Sequence, residues 1–145
     1  MVHLLGFSQT NSFPHECMHL LWENIVPTLV DLWTGHFKGL DAGTESYEIP
    51  PEIWVLIGEE VAAAAATISA QFCRMLPNIT TERHLFTAEA WLFWIQHIAP
   101  HLLKGRLASK YYNLLLFVDI IKLCLQFVIT KNQINALENM VVRVE

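Results

Sequence analysis

At 145 residues the chain is at most one domain, long enough for a real core but short for a complete enzyme of most classes. It is 53% hydrophobic, with five Trp and eight Phe, a richness that implies buried helices or a surface that expects a partner. The net charge of −5 excludes a basic field across the whole chain that would attract nucleic acid or anionic lipid.

Residues 1–12 read as an irregular lead-in, and 13–145 as a single helical domain. The spacing predicts a first helix from Ser12, a good cap, with Pro14 in the first turn where a missing N–H costs nothing. Met18, Leu21, Ile25, Leu29 and Leu32 then recur on one stripe at helical spacing. Pro27 falls inside that stripe and predicts a kink or break, and Gly35 ends the helix. Residues 35–49, with Gly35, Gly39 and Gly43, read as a loop.

Pro50-Pro51 opens a second predicted helix, "EIWVLIGEEVAAAAATISAQF", stopping before Pro77. Its Ala62–Ala66 run favours helix and would let a neighbouring helix approach closely. Thr87 caps "TAEAWLFWIQHIA", with Glu89 in the first turn, where the helix dipole favours an anion. Trp91, Trp94, Ile95 and Ile98 form its buried stripe; Pro100 interrupts it and Gly105 closes it. "SKYYNLLLFVDIIKLCLQFVI" is apolar almost all round and predicts a central helix. Thr130 with Gln133 predicts a capping box for a last amphipathic helix through Ile134, Leu137 and Val141. No run alternates with period two, so the fold class is all-α: about five to six helices in an irregular bundle.

The apolar run Asn113 to Ile129 is about as long as the shortest membrane-spanning helix, but Asp119, Lys122 and Gln126 mark one polar edge, so no membrane span is expected. Cys17, Cys73 and Cys124 are far apart with no C-x-x-C, which predicts reduced, mostly buried thiols. Asn78-Ile79-Thr80 matches a glycosylation sequon by chance, with no secretory signal before it. Lys104, Arg106 and Lys110 form the one basic cluster; a solvated connection between helices is the default, and contact with a DNA backbone the alternative.

"HECMH" raises a sharper possibility. A zincin helix places two His at i and i+4 on one face with Glu between them as general base, and His15, Glu16 and His19 meet that spacing. The extended pattern fails: Trp22 stands where a metzincin has Gly, and no His follows. The bland alternative is a polar helix N-terminus with His19 oriented by Glu23 one turn on.

The run "FPHECMHLLWENIVPTLVDLWTGHFKGLD" resembles a segment of fungal DDE-type transposases of the CACTA-like Plavaka/KDZ group. The likeness continues through "YEIP", "PNITTERHLFTAEAWLFW", "SKYYN" and "CLQF", in order, from Phe13 to about Asn139. In that family the position of Glu16 is usually Asp, in an Asp-x-Met-His element whose His corresponds to His19, and the position of His15 is usually apolar. The resemblance thus accounts for HECMH without zincin ancestry.

The resemblance implies a parent that cleaves and transfers DNA strands on an RNase H-like fold, using Mg or Mn held by converging carboxylates. It implies a nuclear site of action for a working transposase. Glu89 matches the helix-borne acid, and His19 and Glu16 the supporting element. Nothing here resembles the strands that carry the earlier acids, which implies a fragment or degenerate remnant, inactive and cofactor-free alone, that self-associates through exposed apolar surface. Two further readings stay open: a small zinc hydrolase with His15 and His19 as ligands, and a helical protein-interaction module.

Overall fold

The computed structural model describes residues 18–39, 45–107 and 110–143, and among them every regular element is helical. The predicted Ser12 cap, Pro14, His15, Glu16 and Cys17 lie outside the described residues, as do the lead-in 1–12 and Gly43. A π-helical segment, π1 (Met18–Ile25), runs into α1 (Val26–Trp33); α2 spans Pro51–Ala65. A 3₁₀ turn at Arg83–Leu85 leads to α3 (Ala88–Phe93), π2 (Trp94–Ile98) and α4 (Ala99–Leu102). α5 (Tyr111–Cys124) and α6 (Lys131–Arg143) complete the described chain.

Both π-helical segments end two residues before a proline, Pro27 and Pro100, and each proline stands in the first turn of the α-helix that follows. Proline has no N–H to give and its ring crowds the carbonyl four residues back. A wider turn is the local accommodation, and π-turns enter helices as such single insertions. The break predicted at Pro27 is therefore a change of helix type, with Ile25 at the junction still helical at φ −66° and ψ −49°. In π1 the Asn24 side-chain amide donates to the His19 carbonyl.

Gly35 closes α1 at φ 70°, a conformation that costs glycine nothing. The Gly35 N–H reaches the Leu32 carbonyl at 3.3 Å and the His36 N–H reaches Asp31 at 2.8 Å, the paired bonds of a Schellman end. Ile49, buried, donates from its backbone to the Trp33 carbonyl at 2.7 Å and fastens the returning loop to that end.

The core gathers Val26, Val30 and Trp33 from α1, Trp54, Ile57 and Val61 from α2, and Trp91, Trp94 and Ile95 from α3 and π2. Leu114, Val118 and Ile121 of α5 close it. Trp94, fully buried, meets Trp54 at 6.5 Å and Trp91 at 6.1 Å, both nearly perpendicular. Such edge-to-face pairs are worth about 0.5–1.5 kcal/mol beyond their buried area. Against this, Trp94 Nε1 and Gln96 Nε2 are buried without a hydrogen-bond partner among the described residues, at about 1–3 kcal/mol each.

Three sequence expectations are corrected. α2 ends at Ala65 instead of continuing to Phe72, because Thr67 turns its hydroxyl onto the Ala64 carbonyl at 2.8 Å and the backbone tightens to Thr67 N–H to Ala64 and Ile68 N–H to Ala65 bonds. Ala62 and Ala63 are exposed, so among the described residues no helix packs on that part of the alanine run. α5 stops at Cys124, and its burial is incomplete: Leu114, Val118 and Ile121 join the core and Leu116 is buried on the opposite side of the helix, while Tyr112 and Leu115 are exposed. The continuation expected to Ile129 instead leaves Leu125, Phe127 and Val128 in solvent, Phe127 fully.

The stripe read along the first helix is displaced as well. The buried positions are Trp22, Val26, Val30 and Trp33, whereas Leu21, Ile25, Leu29 and Leu32 are only half-buried. The helix is apolar on two faces, and the core takes the one carrying both tryptophans. At the C-terminal end the capping box forms: the Thr130 N–H donates to Gln133 Oε1 at 2.8 Å and the Gln133 N–H to Thr130 Oγ1 at 3.3 Å. α6 packs on α5, yet it buries no residue. Among the described residues no helix is long and apolar enough to cross a membrane.

Candidate functional site

The residues singled out for chemistry are distributed over π1 and the start of α3, two elements that pack against each other. His19 is exposed on π1, and its Nε2 lies 3.8 Å from Glu23 Oε2, one turn on. His15 and Glu16 lie outside the described residues.

Glu89 stands in the first turn of α3, exposed, two residues after the cap Thr87, whose hydroxyl accepts the Ala90 N–H at 3.2 Å. A carboxylate there meets the positive end of the helix dipole. It also reaches the buried Cys73 electrostatically. Burial pushes the Cys73 thiol up, a backbone hydrogen bond with Met75 opposes this, and the Glu89 charge pushes it up further. Trp91 and Trp94 are core residues. Among the described residues no three His, Cys, Asp or Glu side chains converge on one point.

The basic cluster divides. Lys104 and Lys110 are exposed, while Arg106 forms a two-pronged pair with Glu60 of α2, at 2.5 and 2.8 Å. The Arg106 hydrogen bonds hold the Glu60 carboxyl below its ordinary value, more than burial raises it. Arg106 is thus a clamp between α2 and the turn after α4, where a solvated connection was expected. Asp119 and Lys122 pair at 3.7 Å on the polar edge of α5, and Gln126 accepts from Gln133 at 2.9 Å. Cys124, expected buried, is exposed at the end of the same helix.

Arg83 is a residue that sequence reasoning passed over. From the 3₁₀ turn it donates to Asp31 at 2.5 Å and to the Pro27 carbonyl at 2.7 Å, and its guanidinium lies 5.6 Å from the Trp91 ring centre. It therefore joins α1 to α3 through three contacts that suit a planar cation. Its partners lie 52 and 56 residues away, too far for any local pattern to signal them. The sequon residues are structural: Asn78 Oδ1 accepts from the Thr80 and Thr81 N–H groups, and the Thr80 hydroxyl donates to the Trp54 carbonyl at 2.9 Å.

One cavity, of about 420 Å³, opens between α1 and α5. Ile25, Leu29, Leu32, Trp33, Leu114 and Phe117 form its walls, and Tyr47, Lys110 and Asn113 supply its polar groups. Comparison with family models, curated proteins and solved structures finds no match for the chain.

Proposed function

We propose that the chain is the helical part of a protein descended from a DDE-type DNA transposase of the CACTA-like Plavaka/KDZ group, and that it acts by protein contact, in the first instance with a second copy of itself. The descent rests on the collinear resemblance from Phe13 to Asn139. The observation that carries the mode of action is the C-terminal hairpin: α6 buries no residue, and Leu125, Phe127, Val128, Val141 and Val142 stand exposed around it. Charge permits two copies to meet there. α6 carries Lys131, Glu138 and Arg143, a sum of +1 in a chain of −5, so its face does not repel its own image.

In the parent family Mg or Mn ions gathered by several carboxylates activate the attacking oxygen and stabilise the leaving one. Glu89, and His19 with Glu16, are relics of that apparatus, and DNA was the parent's partner. The packing of π1 on α3 supports their common origin, since both would have walled one site. Residues 88–93 now serve the core through Ala88, Ala90 and Trp91.

The test is an assay of the purified chain with supercoiled DNA and Mg or Mn, alongside Glu89→Gln. No nicking or strand transfer is expected from either protein. Nicking by the native chain that vanishes in Glu89→Gln would overturn the relic assignment, and one zinc per chain lost on His15→Ala would establish the hydrolase reading instead.

A further inference from the structure

α1 presents two apolar faces: the one carrying Val26, Val30 and Trp33 is buried in the core, while Leu29 on the other is only partly buried against it. Ile25, Leu29 and Leu32, on the other, look into the 420 Å³ cavity together with Leu114 and Phe117 of α5. That volume lies within the range of small-molecule sites, about 300–1,000 Å³, which combine apolar walls with a few convergent polar groups. At roughly 30 Å³ per water-sized group it accommodates on the order of a dozen heavy atoms.

The polar groups are not scattered. Lys110 and Asn113 come from the N-terminal end of α5, and Leu114 and Phe117 follow along the same helix. From Lys110 to Phe117 the helix rises roughly 10 Å. The cavity therefore has a cationic, hydrogen-bonding end and an apolar length, and Tyr47 also borders it. No carboxylate is among the described lining residues. Arg106, the other strong cation nearby in sequence, is held by Glu60, whereas Lys110 forms no ion pair among the described residues. The helix end at which Lys110 stands has the same sign of field.

From this polarity we infer that the cavity is a binding site for a small amphipathic anion: a carboxylate on an apolar tail of about ten carbons, with its head at Lys110 and its tail between α1 and α5. A neutral chain of that length would fill the walls without using the ammonium, and a cationic one would be repelled. The site shares α5 with the C-terminal hairpin but uses none of its exposed residues and none of the transposase relics.

Titration calorimetry of the native chain with decanoate, decanol and decyltrimethylammonium, each kept below its micelle concentration, tests this. Decanoate is expected to bind saturably at one per chain, at least about five times more tightly than decanol, with the cation weaker than both. Lys110→Gln, at an exposed position, should erase the preference for decanoate over decanol while leaving decanol binding unchanged. Leu29→Trp, which fills the space, should abolish binding of all three with the circular dichroism spectrum retained. Equal affinities for decanoate and decanol, insensitivity to Lys110→Gln, or uptake of many molecules per chain that falls on Phe127→Ser would each overturn the inference.

Discussion

Gly58 offers a test in which local propensity and tertiary packing predict opposite signs. It lies inside α2, where replacing glycine by alanine ordinarily gains about 1 kcal/mol of helix stability. Here a Cβ would run into Thr80 Oγ1 and Asn78 Oδ1 and would sit 2.8 Å from Thr80 Cβ. Neither polar atom is a loose end. The Thr80 hydroxyl is bonded to the Trp54 carbonyl at 2.9 Å, and Asn78 Oδ1 holds the N–H groups of Thr80 and Thr81 at 2.9 and 3.2 Å. The loop must retreat, at an overpacking cost of about 1–3 kcal/mol. Loss of the Thr80–Trp54 bond adds about 1 kcal/mol. Set against the helix gain, Gly58→Ala should destabilise by about 1–3 kcal/mol. Urea unfolding followed by far-ultraviolet circular dichroism would measure this, and heating should show a fall of about 2–4 °C per kcal/mol for a chain of this size. In a Thr80→Ala background the same change should cost less, because one of the colliding atoms is gone. A Gly58→Ala chain more stable than the native one would show that the 78–80 loop does not press on α2.

The Glu60–Arg106 clamp sets a pH dependence. Because folding lowers the Glu60 carboxyl from its ordinary value near 4.5, its stabilisation is present above that value and is lost as pH falls through the lowered one. Glu60→Gln should therefore cost stability at neutral pH, with the difference vanishing as pH falls through the lowered value; both side chains are about a third exposed or more, so the difference should stay within about 1 kcal/mol in urea titrations at several pH values. The thiols should differ in reactivity: in a Cys17→Ser background Cys124 should label with maleimide well before Cys73, and Glu89→Gln, by removing a charge that raises the Cys73 thiol, should speed the slow phase. Thr130→Ala removes one half of the capping box and should cost α6 about 1 kcal/mol, seen as faster amide exchange over 131–143 with little change in the global unfolding midpoint, since α6 buries nothing.

What could be read from the chain was whatever is decided within one helical turn. Thr87 and Thr130 with Gln133 cap because their partners lie three residues on, and Gly35 and Pro27 act on the backbone at their own positions. Features decided by distant partners could not be read in that way. Glu60 and Arg106 stand 46 positions apart with no trace of the clamp in the sequence between them, so a cationic cluster resembled a solvated turn. Periodicity detected an apolar stripe at Ile25, Leu29 and Leu32, but α1 has two apolar faces, and only packing determines which of them the core takes and which borders a cavity. The same limit applies to α5, where an apolar run shows a preference for burial without showing how much neighbouring structure supplies it. For the candidate site, Glu89 was legible as a first-turn acid, whereas its action on Cys73 depends on how the 66–77 segment returns to α3.

If the chain works through contact at its C-terminal hairpin, sedimentation velocity over a hundredfold range of concentration will reveal it. The native chain should show a weight-average mass that rises above the 16.6 kDa of one copy as concentration increases. A chain carrying Phe127→Ser and Val142→Ser, both at exposed positions whose replacement leaves the core intact, should remain at that mass throughout. A native chain that stays monomeric at every concentration, or a double variant that associates as the native chain does, would contradict the claim.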